Sequence, residues 1–218
     1  MMITVMFFTP LFFYLPNAIL AAIIVVAVAS LVDVKAFFHT WAYSKSDAIS
    51  LLVTFIAVLE LGIENGVFIG AIVSLAMYLW HTSRPHTAVL GRIGDTEEYR
   101  NVLRHETTTV PHLLVLRIDE SLYFPNAQYL EQVVLEEIAD RPEVTDFVLV
   151  CTAVNFIDTS ALEVLEQLHH RLADNQIGFH LASVKGPVMD RLKKIGFVSQ
   201  LGKEHFYLTT HEAVEHLK

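Results

Sequence analysis

The chain has 218 residues, of which 53 % are hydrophobic and only 18 % are charged, and its formal net charge is −9. Soluble domains carry about 25 % charged residues, so this composition excludes a disordered chain and indicates one that is partly embedded in a membrane. The single cysteine, Cys151, excludes a disulfide scaffold.

The charged residues are distributed unequally along the chain. Residues 1–84 carry three Lys or Arg and four Asp or Glu, whereas residues 85–218 carry 12 and 20. We therefore predict two domains, a set of membrane helices over 1–84 and a water-soluble domain over 85–218. An acidic surface repels phosphate backbones, so we expect membrane lipid but no nucleic acid among the partners.

The first domain contains three apolar stretches. Ala18–Val32, Ala48–Leu61 and Gly66–Trp80 predict helices at the membrane, although each is shorter than the roughly 20 residues that a full span needs. A polar stretch, Asp33–Asp47, is expected to form the loop between the first two helices.

Loop charges predict the orientation of these helices. Lys35, Lys45 and Arg84 lie on one side, while the turn Glu60–Asn65 on the other side has two Glu and no basic residue. By the positive-inside rule, the soluble domain faces the cytoplasm. A chain of this kind is expected to be a multi-pass protein of the cell inner membrane.

Small residues recur every four positions near the third apolar stretch, at Gly62, Gly66, Gly70 and Ser74. On a helix this spacing gives one smooth face that allows a second helix to approach closely. We therefore predict that these four residues form a helix-packing face.

From Thr87 onward, short apolar runs alternate with amphipathic segments, which predicts an α/β domain with a central sheet. A polar loop is expected over Gly94–Pro111. The predicted strands are Ala88–Ile93, Leu113–Ile118, Phe147–Thr152, Phe179–Val184 and Phe206–Leu208. The predicted helices run from Asn126, as N-cap, to Ala139, from Thr159 or Ser160 to Ala173, over Pro187–Ile195 and over His211–Leu217.

Enzyme motifs are absent from the sequence. It has no phosphate-binding loop, no glycine-rich dinucleotide fingerprint and no zinc-protease motif. Its 11 histidines show no ligand spacing and are interpreted as surface residues. We therefore expect a protein that is not an enzyme and that uses no cofactor and no metal.

One polar cluster follows an apolar strand and opens an amphipathic helix, at Asp158, Thr159 and Ser160. Two interpretations stay open. The side chains could simply cap the helix, or a hydroxyl could carry a phosphate stabilised by the helix dipole.

The segments Asp158–Leu162 (Asp-Thr-Ser-Ala-Leu) and Leu122–Asn126 (Leu-Tyr-Phe-Pro-Asn) resemble a STAS domain, the fold of bacterial anti-sigma-factor antagonists. The runs Leu15–Ile24 and Val89–Ile93 are similar to the STAS-bearing SulP (sulfate permease) anion transporters. This resemblance implies the last gate helices of an inverted-repeat transporter followed by a STAS domain with a mixed sheet flanked by helices.

The resemblance also has implications for the site. The anion site of the family lies upstream of the residues present here, so no substrate-binding residue is assigned. The serine that is phosphorylated in the antagonists corresponds to Ser160, as a possible regulatory site with Asp158 and Thr159. Thr159 and Ala161 stand where the antagonists usually have Ser and Gly.

Two functional hypotheses follow from the resemblance. The first is the C-terminal portion of a secondary transporter for sulfate, bicarbonate or a dicarboxylate. This portion would pair with the rest of the transporter and form a homodimer. Its STAS domain would serve folding, dimer contacts or regulation. The second is a membrane-anchored regulatory STAS module that does not transport. The apolar residues 1–84 disfavour a third possibility, a soluble antagonist.

Overall fold

The computed structural model describes residues 17–29 and 33–218. Their contacts divide the chain into two compact units, the described residues up to Met77 and the segment Tyr78–Lys218. The start of the Leu15–Ile24 run and the end of the first predicted helix, residues 30–32, lie outside the described residues.

The described part of residues 17–82 is helical. The helices are α1 (Asn17–Ala29), α2 (Val34–Tyr43), α3 (Lys45–Leu61) and α4 (Ile63–Thr82). Two stretches are long and apolar enough to cross a membrane, Ile19–Tyr43 and Ile63–Thr82. Residues 30–32 of the first stretch lie outside the described residues. Many large apolar side chains of the two stretches are exposed, as expected of surfaces that face lipid.

The predicted loop over Asp33–Asp47 is wrong, because most of this stretch is the helix α2. The Asp33 carboxylate accepts a hydrogen bond from the Ala36 amide (3.0 Å) and caps α2. The Ser44 hydroxyl accepts one from the Asp47 amide (3.3 Å) and caps α3. Polar residues in this stretch therefore mark two helix starts.

The four small residues of the predicted packing face have different environments. A Cβ at Gly66 would clash with the backbone of Val58, and one at Gly70 would clash with the Thr54 side chain, so α3 and α4 approach closely at these two glycines. Gly62 instead ends α3 with a φ of +85°, a conformation that suits glycine. Ser74 is exposed.

The second unit is built on a six-stranded mixed sheet with the order β2-β1-β3-β4-β5-β6. β1 is antiparallel to β2 and β3, and β3 to β6 are parallel to one another. The predicted α/β fold with a central mixed sheet is confirmed. The strands are β1 (Thr87–Arg92), β2 (Tyr99–Asn101), β3 (Leu113–Ile118), β4 (Asp146–Val150), β5 (Gly178–Ala182) and β6 (Phe206–Tyr207).

The predicted polar loop Gly94–Pro111 is only partly irregular. It contains β2, and Thr108 also pairs with Arg92 of β1. With three residues and no buried side chain, β2 is too short to show the alternation by which strands are recognised.

Helices cover the two faces of the sheet unequally. One face packs against α5 (Phe124–Ala139), α6 (Thr159–Asp174), α7 (Gly186–Lys194) and α8 (Phe197–Leu201), around the stacked rings of Phe147 and Phe179. The other face packs against the short C-terminal helix α9 (Thr210–Leu217), which follows a 3₁₀ turn at Lys203–His205 and strand β6.

The apolar core of the second unit predicts that a chain beginning at His86 folds on its own. This start retains the bond between His86 Nδ1 and the Asp119 carboxylate (2.7 Å), and about 130 residues can bury a sufficient core. We expect cooperative thermal unfolding by circular dichroism. A chain beginning at Pro111 is the control, because it lacks β1 and leaves the edge of β3 unpaired. A broad melt of the His86 chain would contradict the prediction.

Candidate functional site

The two segments that the sequence singled out meet at one edge of the sheet. Leu122, after β3, forms a parallel bridge with Ile157, after β4. The Leu122 amide donates to the Phe156 carbonyl (2.9 Å), and the Asp158 amide donates to the Leu122 carbonyl (3.1 Å). Because β3 and β4 are parallel neighbours, both loops leave the sheet at the same edge, and the helices α5 and α6 begin side by side.

A single carboxylate joins the starts of these two helices. Asp158 Oδ1 accepts a hydrogen bond from the Ala161 amide (2.7 Å) and caps α6. Asp158 Oδ2 accepts one from the Phe124 amide (2.9 Å) at the first residue of α5. Both amides belong to the first turn of a helix, where backbone donors lack intrahelical partners and the dipole favours negative charge.

The hydroxyls of Thr159 and Ser160 take no part in this cap. Neither makes a hydrogen bond with any residue that the structure describes. Thr159 is exposed and Ser160 is partly buried. The sequence did not decide which of the three side chains caps α6, and the structure shows that it is Asp158. The hydroxyl of Ser160 is therefore not needed for capping.

The prediction that Asn126 is the N-cap of α5 is wrong, because Asn126 is the third residue of this helix. The N-cap is Tyr123, three residues earlier, and Pro125 lies in the first turn of the helix. The fully buried Asn126 accepts a hydrogen bond from the Tyr123 amide (3.0 Å) and donates one to the Ser121 carbonyl (2.8 Å). Asn126 thus holds the turn that presents the Phe124 amide to Asp158.

Ser121 was missed by the sequence analysis. Its hydroxyl accepts a hydrogen bond from the Asn155 amide (3.2 Å), and the Asn155 side chain in turn accepts one from Lys185 Nζ (2.6 Å). These bonds link the loops that follow β3, β4 and β5. No sequence motif marks them, because each partner is about 30 residues from the next.

A groove of about 390 Å³ lies beside the start of α6, between α6 and α7. Asp158 and Thr159 line one end, and Arg191 and Lys194 of α7 contribute positive charge. The Arg191 guanidinium lies 4.9 Å from the centre of the Phe156 ring, a cation–π geometry. The rest of the lining is apolar: Ile157, Leu162, Val188, Leu192 and Ile195.

Within residues 17–29 and 33–218, no group of three His, Cys, Asp or Glu side chains could hold a metal ion. Cys151 is fully buried at the end of β4, and burial raises the pKa of its thiol to about 12. A thiol with so high a pKa is a poor nucleophile at neutral pH.

Two family models match the chain, the STAS domain over residues 104–213 and the sulfate permease family over residues 1–54. Sulfate transporter 1.3 of Arabidopsis thaliana is 35 % identical over 98 % of this chain and 34 % of its own length. High affinity sulfate transporter 2 of Stylosanthes hamata is 31 % identical over 98 % of this chain and 34 % of its own length. The chain thus spans about a third of the length of these relatives.

A solved structure has the same fold. The murine solute carrier 26 family member A9 anion transporter, in its inward-facing state, superposes on 93 % of this chain with a TM-score of 0.79. The match covers 33 % of that transporter, at 22 % sequence identity.

The double role of Asp158 leads to a graded prediction for its variants. Asp158→Ala removes the acceptor of two amides and should lower the free energy of unfolding by about 2–3 kcal/mol. Asp158→Asn keeps one acceptor and should cost about half as much. Ser160→Ala is the matched control and should cost less than about 0.5 kcal/mol. Urea denaturation measures all three, and equal losses for Ser160→Ala and Asp158→Ala would contradict this assignment.

Proposed function

The chain belongs to the sulfate permease (SulP) family, and we propose that it is the C-terminal part of a secondary transporter for an inorganic anion of the sulfate class. The observation that carries the proposal is the extent of the match. Sulfate transporters align with 97–99 % of the chain, so the apolar helices and the STAS domain occur in the same order as in those relatives. Bicarbonate and dicarboxylates are the competing substrate classes.

We further propose that the domain over residues 85–218 is the cytoplasmic STAS domain, that residues 1–84 hold gate helices, and that the protein acts in the inner membrane as a homodimer. The loop charges support this orientation. The close approach of α3 and α4 at Gly66 and Gly70 supports a packed helix pair of the kind found within membranes.

The STAS domain is proposed to regulate transport through Ser160. Its hydroxyl lies at the start of α6 and is not engaged by the cap. A phosphate on Ser160 would add a charge of about −1.5 to −2 beside the helix N-terminus. The Asp158 carboxylate would repel it, whereas Arg191 and Lys194, which line the adjoining groove, would attract it. Modification would therefore add negative charge at the start of α6, beside the groove.

A chimera tests the transport proposal. The aligned third of Sulfate transporter 1.3 is replaced by this chain and expressed in yeast cells that lack sulfate uptake. We expect the chimera to restore uptake of labelled sulfate, while this chain expressed alone restores none, because transporter sites of this kind form between paired repeats. A correctly inserted chimera without uptake would contradict the transport proposal and favour a regulatory module.

The same chimera tests the role of Ser160. Ser160→Asp places a negative charge next to the helix start, where it should leave the fold intact and change the uptake rate at least about twofold if the site is regulatory. Ser160→Ala is the control for loss of the hydroxyl, and Thr159→Asp is the control for added charge on an exposed neighbour. If Ser160→Asp, Ser160→Ala and Thr159→Asp all take up sulfate at the rate of the unmodified chimera, regulation through Ser160 is refuted.

A further inference from the structure

The C-terminal segment, Lys203–Lys218, packs on the STAS domain through the apolar side chains of Tyr207, Ala213 and Val214, and histidines supply most of its side-chain hydrogen bonds to the domain. The segment comprises the 3₁₀ turn, β6 and α9, and β6 contributes only two residue pairs to the sheet. Histidine takes part in three side-chain hydrogen bonds between the segment and the body of the domain: His205 with His180 (3.1 Å), His211 with Tyr99 (3.3 Å) and His112 with the Leu217 carbonyl (3.0 Å). Arg92 adds an ion pair with Glu215 (3.0 Å).

The first of these bonds is part of a three-residue chain. His180 lies on β5 and is only 5 % exposed, contrary to the interpretation of the histidines as surface residues. Its Nε2 lies 3.0 Å from Asp146 Oδ1 on β4, and its Nδ1 lies 3.1 Å from His205 Nδ1. The two imidazole rings are stacked with their centres 4.6 Å apart.

The hydrogen-bond roles in this chain follow from the carboxylate. An ionised Asp146 only accepts hydrogen bonds, so His180 Nε2 carries a proton and donates it. In neutral His180 the Nδ1 atom then bears the lone pair and accepts a hydrogen bond from His205 Nδ1–H. A proton added to Nε2 of His205 leaves this bond in place. Once His205 is charged in this way, a proton on His180 Nδ1 sets two N–H donors against each other and breaks the bond.

We propose that Asp146, His180 and His205 form a proton-sensitive clasp that holds the C-terminal segment on the sheet at neutral pH and releases it when both histidines are protonated. The proposal is independent of the proposed transport function. Release would uncover apolar side chains on the face of the sheet that α9 covers, among them Val148 and Ala182.

The charged groups around His180 act in opposite directions. Burial lowers the pKa of His180, and the positive charges of His205 on the 3₁₀ turn and His216 on α9 lower it further, while Asp146 raises it. The net shift is downward. Glu204 and Glu212 add negative charge near Tyr207, whose ring lies 5.8 Å from that of His180.

A lowered pKa means that the folded clasp favours neutral His180. The stability it contributes is complete above the ordinary histidine pKa of about 6.5 and is lost as the pH falls through that value toward the lowered pKa of the folded state. On α6, burial and the neighbouring His170 and His205 lower the pKa of His169 in the same direction. A test must therefore separate loosening of the segment from a general loss of stability.

Hydrogen exchange of the full chain in lipid nanodiscs, read by mass spectrometry, makes this separation. Protection factors, which correct for the intrinsic pH dependence of exchange, are compared between about pH 7.5 and pH 5.5. Protection of amides in the C-terminal segment should fall severalfold, because the lowered pKa of His180 favours release of the segment as the pH falls. Protection in β3 and β4 should change much less.

His205→Gln is the decisive variant, because a glutamine amide can donate to neutral His180 or accept from protonated His180. It should keep the segment protected and abolish the pH effect, while the control His170→Gln retains it. Equal loss of protection in the segment and in β3, or an unchanged pH effect in His205→Gln, would overturn the proposal. If the amides of β3 are unprotected at pH 7.5 in the His205→Gln variant, that variant is misfolded. The protection of the segment and of β3 in the unmodified chain at the two pH values then decides whether the proposal holds.

Discussion

The architecture of the candidate site depends on the two hydrogen bonds that the Asp158 carboxylate accepts. One comes from the first turn of α6 and the other from the first residue of α5. Each helix start would otherwise leave an amide without a partner in the protein, and loss of a side-chain cap costs about 0.5–2 kcal/mol. One side chain therefore fixes both the capping of α6 and the position of α5 next to it.

Because Asp158 makes the cap, the neighbouring hydroxyls of Thr159 and Ser160 take no part in it. A helix that begins with Thr-Ser after Asp could be capped by any of the three side chains. Because Asp158 makes the cap, and because the buried Asn126 holds the opposing turn in place, the geometry of the site does not require Ser160. A modification of that hydroxyl would leave in place the two hydrogen bonds of the shared cap.

The unequal covering of the sheet separates the two sites for which we propose functions. The thick face carries four helices and the phosphorylation candidate, whereas the thin face depends on α9 and its histidine-mediated attachment. By our two proposals, phosphorylation of Ser160 would add charge at the start of α6, whereas protonation of His180 would expose apolar surface on the opposite face of the sheet.

Sequence patterns predicted the parts of this structure that are set locally. The strand Leu113–Ile118 was predicted to the residue, because five apolar residues, interrupted only by Arg117 and bounded by polar residues, mark a buried strand. The N-cap of α5 was placed three residues late, at Asn126 instead of Tyr123, because Asn126 is a good N-cap residue but lies in the first turn, next to Pro125. Asp158 was recognised as part of the site. Its hydrogen bond with Phe124 was not predicted, because the two residues are 34 positions apart in the sequence.

Contacts over such distances depend on strand order, which no local pattern contains. The same holds for His180, whose burial follows from its place on an inner strand between β4 and β6. A lone histidine in a short strand has no feature that distinguishes it from a surface residue. Long-range pairing therefore accounts for both the shared cap and the clasp.

The most direct test of the shared cap is a double-mutant cycle between Asp158→Ala and Asn126→Ala. Urea denaturation of the STAS domain gives the free energy of unfolding of each variant and of the pair. If both side chains hold one junction, the losses are non-additive, with a coupling energy of about 1 kcal/mol or more. Losses that add within about 0.3–0.5 kcal/mol would show that the two helix starts are stabilised independently, and would contradict the account.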